Sequence, residues 1–446
     1  MSPKQPKPKL IQAMIDAFSL PDLRRRILIT FGILVVFRLI AHVPLPGVNS
    51  QALADLFDPA KSGLAGLLGM FNLFSGGALR YFSVAAMGVY PYITASIVMN
   101  LMTPVIPKLQ AMAQEGEAGR NKINLITHWL TVPMAGLSGY GQLVLLQREG
   151  AVASDLGGLA TAAIIMAIIA GTMFLVWLGE QITEYGIGNG ISIIIFAGIV
   201  AGLPQMIGQG FLTGGQGQLL GLIVFILLFV LTTGLIVIFT EAHRRIPVQY
   251  SKSVFRGGRM YRQSGATYIP LRVNTAGMIP LIFGSAFVMF PGIIASYFAN
   301  AAGETPNFAN TIMDLFSSTS ALPLGLFYWV LYFLMVVGFA FFYTMVLFQQ
   351  QDLPGVLQRQ GGFIPGIRPG KQTASYLNGV ITRITTAGAL FLALVAIMPF
   401  IVREITSVQA IQFSSFGMLI VVGVVLDTMK QMEAQLAMRR YEGFIK

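Results

Sequence analysis

The chain has 446 residues, of which 55% are hydrophobic and only 11% are charged, and its formal net charge is +11. Soluble proteins carry about 25% charged residues, so this composition excludes a soluble globular domain and indicates a polytopic α-helical membrane protein. The absence of cysteine excludes disulfides, thiolate metal sites and a cysteine nucleophile.

Ten apolar stretches are long enough to cross a membrane, and Gly- and Pro-bearing turns separate them. The predicted spans are 27–43, 82–103, 123–146, 159–179, 191–207, 219–240, 273–298, 324–348, 377–401 and 413–431. A polar linker, 208–218, divides them into two halves of five, 27–207 and 219–431. An odd number of spans per half inserts the second half upside down, as in inverted-repeat pores and transporters. We therefore predict an all-α membrane protein of ten helices in two inverted five-helix halves.

The Lys and Arg residues lie mainly on one side of this arrangement. Of the 29, 24 fall on the side of the two termini, four fall on the opposite side, and Arg38 lies inside the first span. Positive residues concentrate in cytoplasmic segments of membrane proteins. The N-terminal segment 1–26, the loops 241–272 and 349–376 and the tail 432–446 are therefore predicted to be cytosolic.

Arg38 is the clearest ionisable residue inside a span. Ionisable groups within spans can support ion-coupled transport, but a single arginine makes no proton relay. A structural contact with backbone carbonyls or a polar neighbour is the preferred interpretation.

The stretch LAGLLGMFNLFSGGAL, residues 64–79, is apolar but too short to cross a membrane. Its apolar run ends at the Ser-Gly-Gly triplet, residues 75–77, shortly before the second span. One interpretation is an interfacial helix that lies on the outer leaflet.

Aliphatic pairs occupy one helical face in two of the spans. Val89 and Ile93 lie four residues apart in span two, and Ile191 and Ile195 repeat this spacing after GIGNG, 186–190. Such pairs fit either a packed seam between helices or a pore constriction, and periodicity does not distinguish the two.

The GLSG segment, 136–139, resembles the nucleophile motif of intramembrane serine proteases. Such a protease needs a histidine base at similar depth, and the only histidine downstream, His243, falls in a predicted cytosolic loop. Small residues that allow close helix packing are the favoured interpretation. No histidine pair has metal-ligand spacing, so we expect no metal site. No nucleotide motif or catalytic set appears either, so we expect no enzyme and no cofactor.

Four segments closely resemble the bacterial SecY protein-translocation channel family, and the resemblance runs from about residue 20 to the C-terminus. They are FNLFSGGALRYFSVAAMGVYPYITASIVMNLM (71–102), GEQITEYGIGNGISIIIFAGIVAGLP (179–204), RRIPVQY (244–250) and FIPGIRPGKQT (363–373). The resemblance implies a channel that passes unfolded secretory polypeptides and releases transmembrane segments through a lateral gate. A secondary transporter for a small solute is the competing function.

The resemblance also implies a short plug helix over 64–74 that rests against a ring of aliphatic side chains, with Gly76 and Gly77 as a hinge. The implied apolar plug residues are Leu64, Leu67, Leu68, Met70, Phe71, Leu73 and Phe74. The implied pore ring consists of Val89, Ile93, Ile191, Ile195, Ile282 and Ile420.

The family opens sideways between spans two and three on one side and seven and eight on the other. Thr94, Ser138 and Asn274 match its polar gate cluster. The basic loops resemble its docking surface for the ribosome and the SecA motor ATPase, although positive-inside topology alone also explains their charge. The implied docking residues are Arg256, Arg259, Arg262 and Arg368. Small SecE-type and SecG-type membrane subunits, signal sequences, unfolded polypeptides and the lipid of the bacterial plasma membrane are the other expected partners.

Overall fold

The computed structural model describes part of the chain, and its helices correspond to the predicted spans. The described residues are 20–57, 65–153, 156–212, 216–256, 259–296, 298, 307–317, 320, 323–406 and 415–442. The helices of the N-terminal part are α1 (Pro21–Ile40), α2 (Ser50–Leu56), α3 (Ala65–Phe74), α4 (Tyr90–Met102), α5 (Pro107–Gln114), α6 (Glu117–Arg148), α7 (Gly158–Tyr185) and α8 (Gly190–Leu212). Those of the C-terminal part are α9 (Gln216–Glu241), α10 (Ile279–Ser296), α11 (Phe308–Leu315), α12 (Leu324–Gln351), α13 (Leu353–Arg359), α14 (Lys371–Thr406) and α15 (Ser415–Glu442).

Each predicted span overlaps one long or apolar helix of the structure. Among the described residues, three helical stretches are long and apolar enough to cross a membrane by themselves: 158–185, 324–359 and 371–398. Shorter apolar helices occupy 190–202, 230–241 and 279–295. The described helices are consistent with ten spans.

The second predicted span begins later than the hydropathy of the sequence suggests. Residues 82–89 form turns, and α4 starts only at Tyr90. Gly88 has φ +55°, which an L-residue rarely adopts, and Pro91 then occupies the first turn of the helix. Hydropathy alone cannot separate these apolar turns from the helix that follows them.

The predicted cytosolic loop 241–272 contains a long antiparallel hairpin. Strand β1 (His243–Arg256) pairs with β2 (Arg259–Arg272) along its whole length. A short third strand, β3 (Gly362–Phe363), pairs with β1 at Gln249 and Tyr250. The two basic loops of the sequence therefore share one small sheet.

Helix packing follows chain order within each part and crosses between the parts at α15. In the N-terminal part, α4 packs on α6, α6 on α7 and α7 on α8; in the C-terminal part, α10 packs on α12 and α12 on α14. Helix α15 packs against both α8 and α9. The backbone N–H of Gly188 donates to Gln431 Oε1 at 2.9 Å, which ties the turn before α8 to α15. One large hydrophobic cluster extends through both parts.

Candidate pore, plug and gate

The six aliphatic residues implied as a ring lie on four different helices and belong to, or pack against, one hydrophobic cluster. Val89 caps the N-terminus of α4, and the others lie in the first two turns of α4, α8, α10 and α15. Five belong to the buried part of the large hydrophobic cluster, with exposed fractions between 0% and 9%, and Ile191 packs against it. The ring thus has two helices from each half, which is the arrangement expected for a constriction between the halves.

The expected plug segment is a helix, α3, and its described apolar side chains are buried. Leu68, Phe71 and Phe74 are 0%, 9% and 2% exposed and belong to the same cluster as the ring. The aromatic rings of Phe71 and Tyr90 pack edge to face with their centroids 5.2 Å apart, and the ring centroid of Phe74 lies 5.5 Å from that of Tyr90. A helix resting on the outer leaflet would leave this face to lipid, whereas here it packs on protein. Leu64 lies outside the described residues, as do the side chains of Leu67, Met70 and Leu73.

The glycines after α3 adopt the conformation expected of a hinge. Gly76 and Gly77 have φ +67° and +88°, which only glycine takes up without strain. Gly76 also packs directly on Gly198 of α8: a Cβ added at Gly76 would lie 3.0 Å from the Cα of Gly198 and 2.6 Å from Cζ of Phe37. The turn therefore needs glycine for its backbone angles and for its close approach to α8.

Hydrogen bonds hold this hinge in one conformation. The backbone N–H of Gly77 donates to the carbonyl of Asn72 at 2.8 Å, and that of Arg80 donates to Asn72 Oδ1 at 3.1 Å. Ser75 Oγ accepts from the N–H of Leu79 at 3.1 Å. Arg38 Nη1 donates to the carbonyl of Gly76 at 2.8 Å, so the preferred interpretation of Arg38, a contact with a backbone carbonyl, is confirmed.

The residues implied as a polar gate cluster are not joined by a hydrogen bond among the described residues. Thr94 Oγ1 donates within its own helix, to the carbonyl of Pro91 at 2.9 Å, a common arrangement for threonine in helices. Asn274 is 9% exposed, and its Oδ1 is buried with no hydrogen-bond partner in the described structure. Ser138 lies half-buried on α6. In this conformation the three residues do not form a hydrogen-bonded latch.

A polar network that the sequence analysis missed joins spans two, three and four. Tyr92 Oη donates to Asn124 Oδ1 at 3.2 Å, and Asn124 Nδ2 donates to Glu180 Oε1 at 3.4 Å. His128 Nε2 lies 3.1 Å from the same carboxylate oxygen. The i, i+4 spacing of Asn124 and His128 on α6 was the available signal. The network couples α4 to α6 and α7, so one side of the expected gate is held together by side chains.

The two basic loops meet at the base of the hairpin. Buried apolar side chains from the hairpin, α13, the β3 region and α14 form a second hydrophobic cluster there: Ile246, Val248, Leu357, Ile364, Leu377 and Val380. Arg368 is exposed beside it, and its carbonyl accepts from Thr373 Oγ1 at 3.0 Å. Arg256 and Arg259 are paired at the far end of the hairpin, and Arg262 lies opposite Ser253. The side chains of these three hairpin arginines lie outside the described part.

The GLSG segment packs closely on the next helix. Added Cβ atoms at Gly136 and Gly139 would lie 3.3 Å from Ile169 Cδ1 and 3.0 Å from Ile168 Cγ2, both on α7. This supports the packing interpretation. His243 begins strand β1, and the described residues contain no group of three His, Cys, Asp or Glu that could hold a metal.

The chain is similar to known proteins over nearly its whole length. The family model described as SecY matches residues 83–429. The protein translocase subunit SecY of Streptomyces lividans is 42% identical over 98% of this chain and 100% of its own length. A solved structure of a SecY protein gives a TM-score of 0.60 at 17% identity. The plug domain of that protein is described as stabilising the closed state of the translocation channel and maintaining a membrane seal. Sec61 in the canine ribosome–channel complex from the endoplasmic reticulum gives 0.58 at 16% identity. These structures cover 94% of this chain, and the chain covers 96% of each.

Proposed function

The chain belongs to the SecY family of protein translocase channel subunits, and we propose that its aliphatic ring and its plug helix together close the protein-conducting pore. A channel subunit is not an enzyme, and membership in this family does not favour the alternative of a small-solute transporter. The observation that supports the proposal most directly is one of packing. The ring residues and the buried plug side chains Leu68, Phe71 and Phe74 belong to, or pack against, one hydrophobic cluster that extends through both halves.

An aliphatic ring suits this task because it seals without binding its substrate. A narrow apolar constriction expels water and thereby blocks ions. Its side chains carry no hydrogen-bonding groups, so they can close around an extended polypeptide of any sequence. The chain would in this way pass unfolded secretory polypeptides and still retain ions at rest.

The plug helix would reinforce this seal from the outer side. The plug domain of the solved SecY relative stabilises the closed state and maintains a membrane seal. The burial of Leu68, Phe71 and Phe74 against the pore region supports the same role here. Opening would then require α3 to leave Tyr90 and the hinge to separate from Gly198, so each of these contacts favours the closed state.

Lateral release would occur through an opening between two pairs of helices. Spans two and three form one side of this opening, and spans seven and eight form the other. The network of Tyr92, Asn124 and Glu180 supports movement of α4, α6 and α7 as one body. Asn274 brings a buried carbonyl oxygen without a described partner to the opposite side. Hydrogen bonds within membranes contribute about 0.6 kcal/mol on average. Asn274 is not bonded to Thr94 or Ser138 in this conformation, so a latch among the three would form only in another conformation of the gate, and it would be weak enough for a signal sequence to displace.

The charge asymmetry supports an orientation with both termini in the cytoplasm of a bacterium and the chain in its plasma membrane. In that orientation the shared sheet presents the basic loops to cytosolic partners. A Sec61 neighbour was solved in complex with a ribosome. Ribosomal phosphates or carboxylates of the SecA motor would be bound by Arg256, Arg259, Arg262 and Arg368, since arginine binds both groups well.

SecE-type and SecG-type subunits would pack on lipid-facing helices. The inverted halves 27–207 and 219–431 are part of the same proposal.

The sealing role of the ring can be tested by triple substitution of Ile93, Ile195 and Ile282 with Ser. The resting channel, reconstituted with its small subunits in planar bilayers, should show raised ion conductance because a polar ring holds water. A matched control replaces three lipid-facing isoleucines with Ser, and its conductance should stay at the resting level. The control residues, 37%, 63% and 44% exposed, are Ile126, Ile238 and Ile294. Equal conductance of both variants would remove the ring from the proposal.

A further inference from the structure

The guanidinium of Arg38 is bound to the hinge of the plug. Arg38 lies in the last turn of α1, half-buried, and its Nη1 donates to the carbonyl of Gly76 at 2.8 Å. Among the described residues, no carboxylate forms an ion pair with it. We propose that Arg38 is a positioning residue that locks the hinge in the closed state and so determines how readily the plug leaves. This inference rests on the plug role proposed above.

The Arg38 bond differs in kind from the other hydrogen bonds of the hinge. The described bonds of Asn72, Ser75 and Gly77 stay within residues 71–80, so they can move together with the plug. The bond from Arg38 joins the hinge to a membrane span 38 positions earlier in the chain. It must therefore break when the hinge moves away from α1.

The environment makes this bond strong in the closed state. A guanidinium stays charged under all physiological conditions, and a charged group inside a membrane protein is costly unless its donors are satisfied. The carbonyl of Gly76 is available because the left-handed turn leaves the helical pattern at the end of α3. The last turn of α1 also favours a cation, since helix carbonyls there carry partial negative charge. Hydrogen bonds to charged groups are among the stronger ones in proteins.

Close packing adds precision to this contact. Phe37, the residue before Arg38, is 1% exposed, and its ring stands against Gly76. Gly198 closes the other side of the hinge. The carbonyl of Gly76 is consequently held at a fixed place relative to α1, and the Arg38 guanidinium can bond to it only while the hinge stays in that place. Withdrawal of the plug would leave Arg38 to water or to the passing polypeptide.

The test replaces Arg38 with Met, which keeps most of the length and removes every donor. Loss of a charged hydrogen bond should shift the closed-to-open ratio by about tenfold, and resting conductance should rise in proportion. Arg38→Lys keeps a charge and donors but lacks the planar fork, so its conductance should fall between those of the parent and Arg38→Met. Arg26→Met is the matched control, because Arg26 lies on the same helix and donates to the carbonyl of Gly186 at 3.3 Å, away from the plug. Arg26→Met should conduct like the parent.

Deletion of residues 65–74, alone and together with Arg38→Met, separates the lock from the plug itself. The deletion should raise conductance, and Arg38→Met should add nothing to it, since the hinge would have no plug to hold. Leakage from the deletion but not from Arg38→Met would overturn the lock and leave the plug in place. Additive leakage would show that Arg38 acts elsewhere, which also overturns the lock. No leakage from the deletion would overturn the plug role and the lock with it. If Arg38→Met fails to accumulate in the membrane, Arg38→Lys decides the question by the same comparison.

Discussion

Substitution of Gly198 with Ala should push the plug hinge out of its closed position. Gly198 is an interior residue of α8, and an added Cβ would lie well inside van der Waals contact distance of the Cα of Gly76. It would also stand 3.2 Å from the N and 3.4 Å from the C of Gly76. Carbon atoms in good contact lie about 3.5–4.0 Å apart. Because all of the opposing atoms are backbone, no side chain can rotate away, and the hinge or α8 must shift.

The expected size of the effect follows from that overlap. Overpacking of a well-packed site costs about 1–3 kcal/mol. The overlap exists only while the hinge rests on α8, so the whole cost falls on the closed state. A difference of about 1–3 kcal/mol between two states changes their ratio by roughly 5- to 150-fold. Resting ion conductance of the reconstituted channel should rise by a factor in that range, and weaker signal sequences should suffice for opening.

Gly202→Ala is the matched control, since Gly202 lies one turn further along α8 and nothing stands within 4 Å of an added Cβ there. Both substitutions gain helix propensity, about 1 kcal/mol each, in the closed and the open state alike, so that gain cancels in the gating equilibrium. Conductance in planar bilayers and the amount of channel in the membrane are measured for both. If Gly198→Ala conducts no more than Gly202→Ala, contact between hinge and α8 does not hold the channel closed.

Three further predictions concern the plug, the docking loops and the gate. Cysteines introduced at Phe71 and Ile195 of this cysteine-free chain should crosslink in the resting channel and less once a translocating chain is trapped; a crosslink unaffected by the trapped chain would argue against plug movement. Charge reversal at Arg368 should weaken binding of ribosomes or of the motor in a flotation assay while membrane insertion stays intact, and full binding would leave the loop as a topology signal only. Asn274→Leu removes a buried oxygen without a described partner and should raise the resting channel's stability by about 1–3 kcal/mol, seen as a higher thermal midpoint; a lower midpoint would mean that the amide is satisfied at rest.

The architecture of spans and loops could be predicted from the sequence, because membrane insertion depends on local properties. Length and hydropathy predict each span, and each span overlaps a described helix. The helices of the second and seventh spans begin later than predicted, at Tyr90 and Ile279, after Gly88 and Gly277 with positive φ. The plug segment was visible as an apolar stretch too short to cross a membrane. The hinge glycines have the expected positive φ angles, because glycine after a helix commonly adopts the left-handed conformation without steric strain.

The site itself depended on contacts between residues far apart in the chain. Val89 and Ile195 each belong to an aliphatic pair at helical spacing, and only the packing of separate helices puts both residues in one hydrophobic cluster. The bond from Arg38 to Gly76 and the network around Glu180 likewise join separate helices, so no local pattern specified their partners. The hairpin within the loop 241–272 was not predicted from the sequence, because its strands are ordered by pairing with each other and by the apolar cluster at the base of the hairpin. The sequence by itself determined which segments can enter the membrane, because insertion depends on the length and hydropathy of each segment. The tertiary structure decided which side chains of the two halves share one cluster, because residues far apart in the chain meet only after folding.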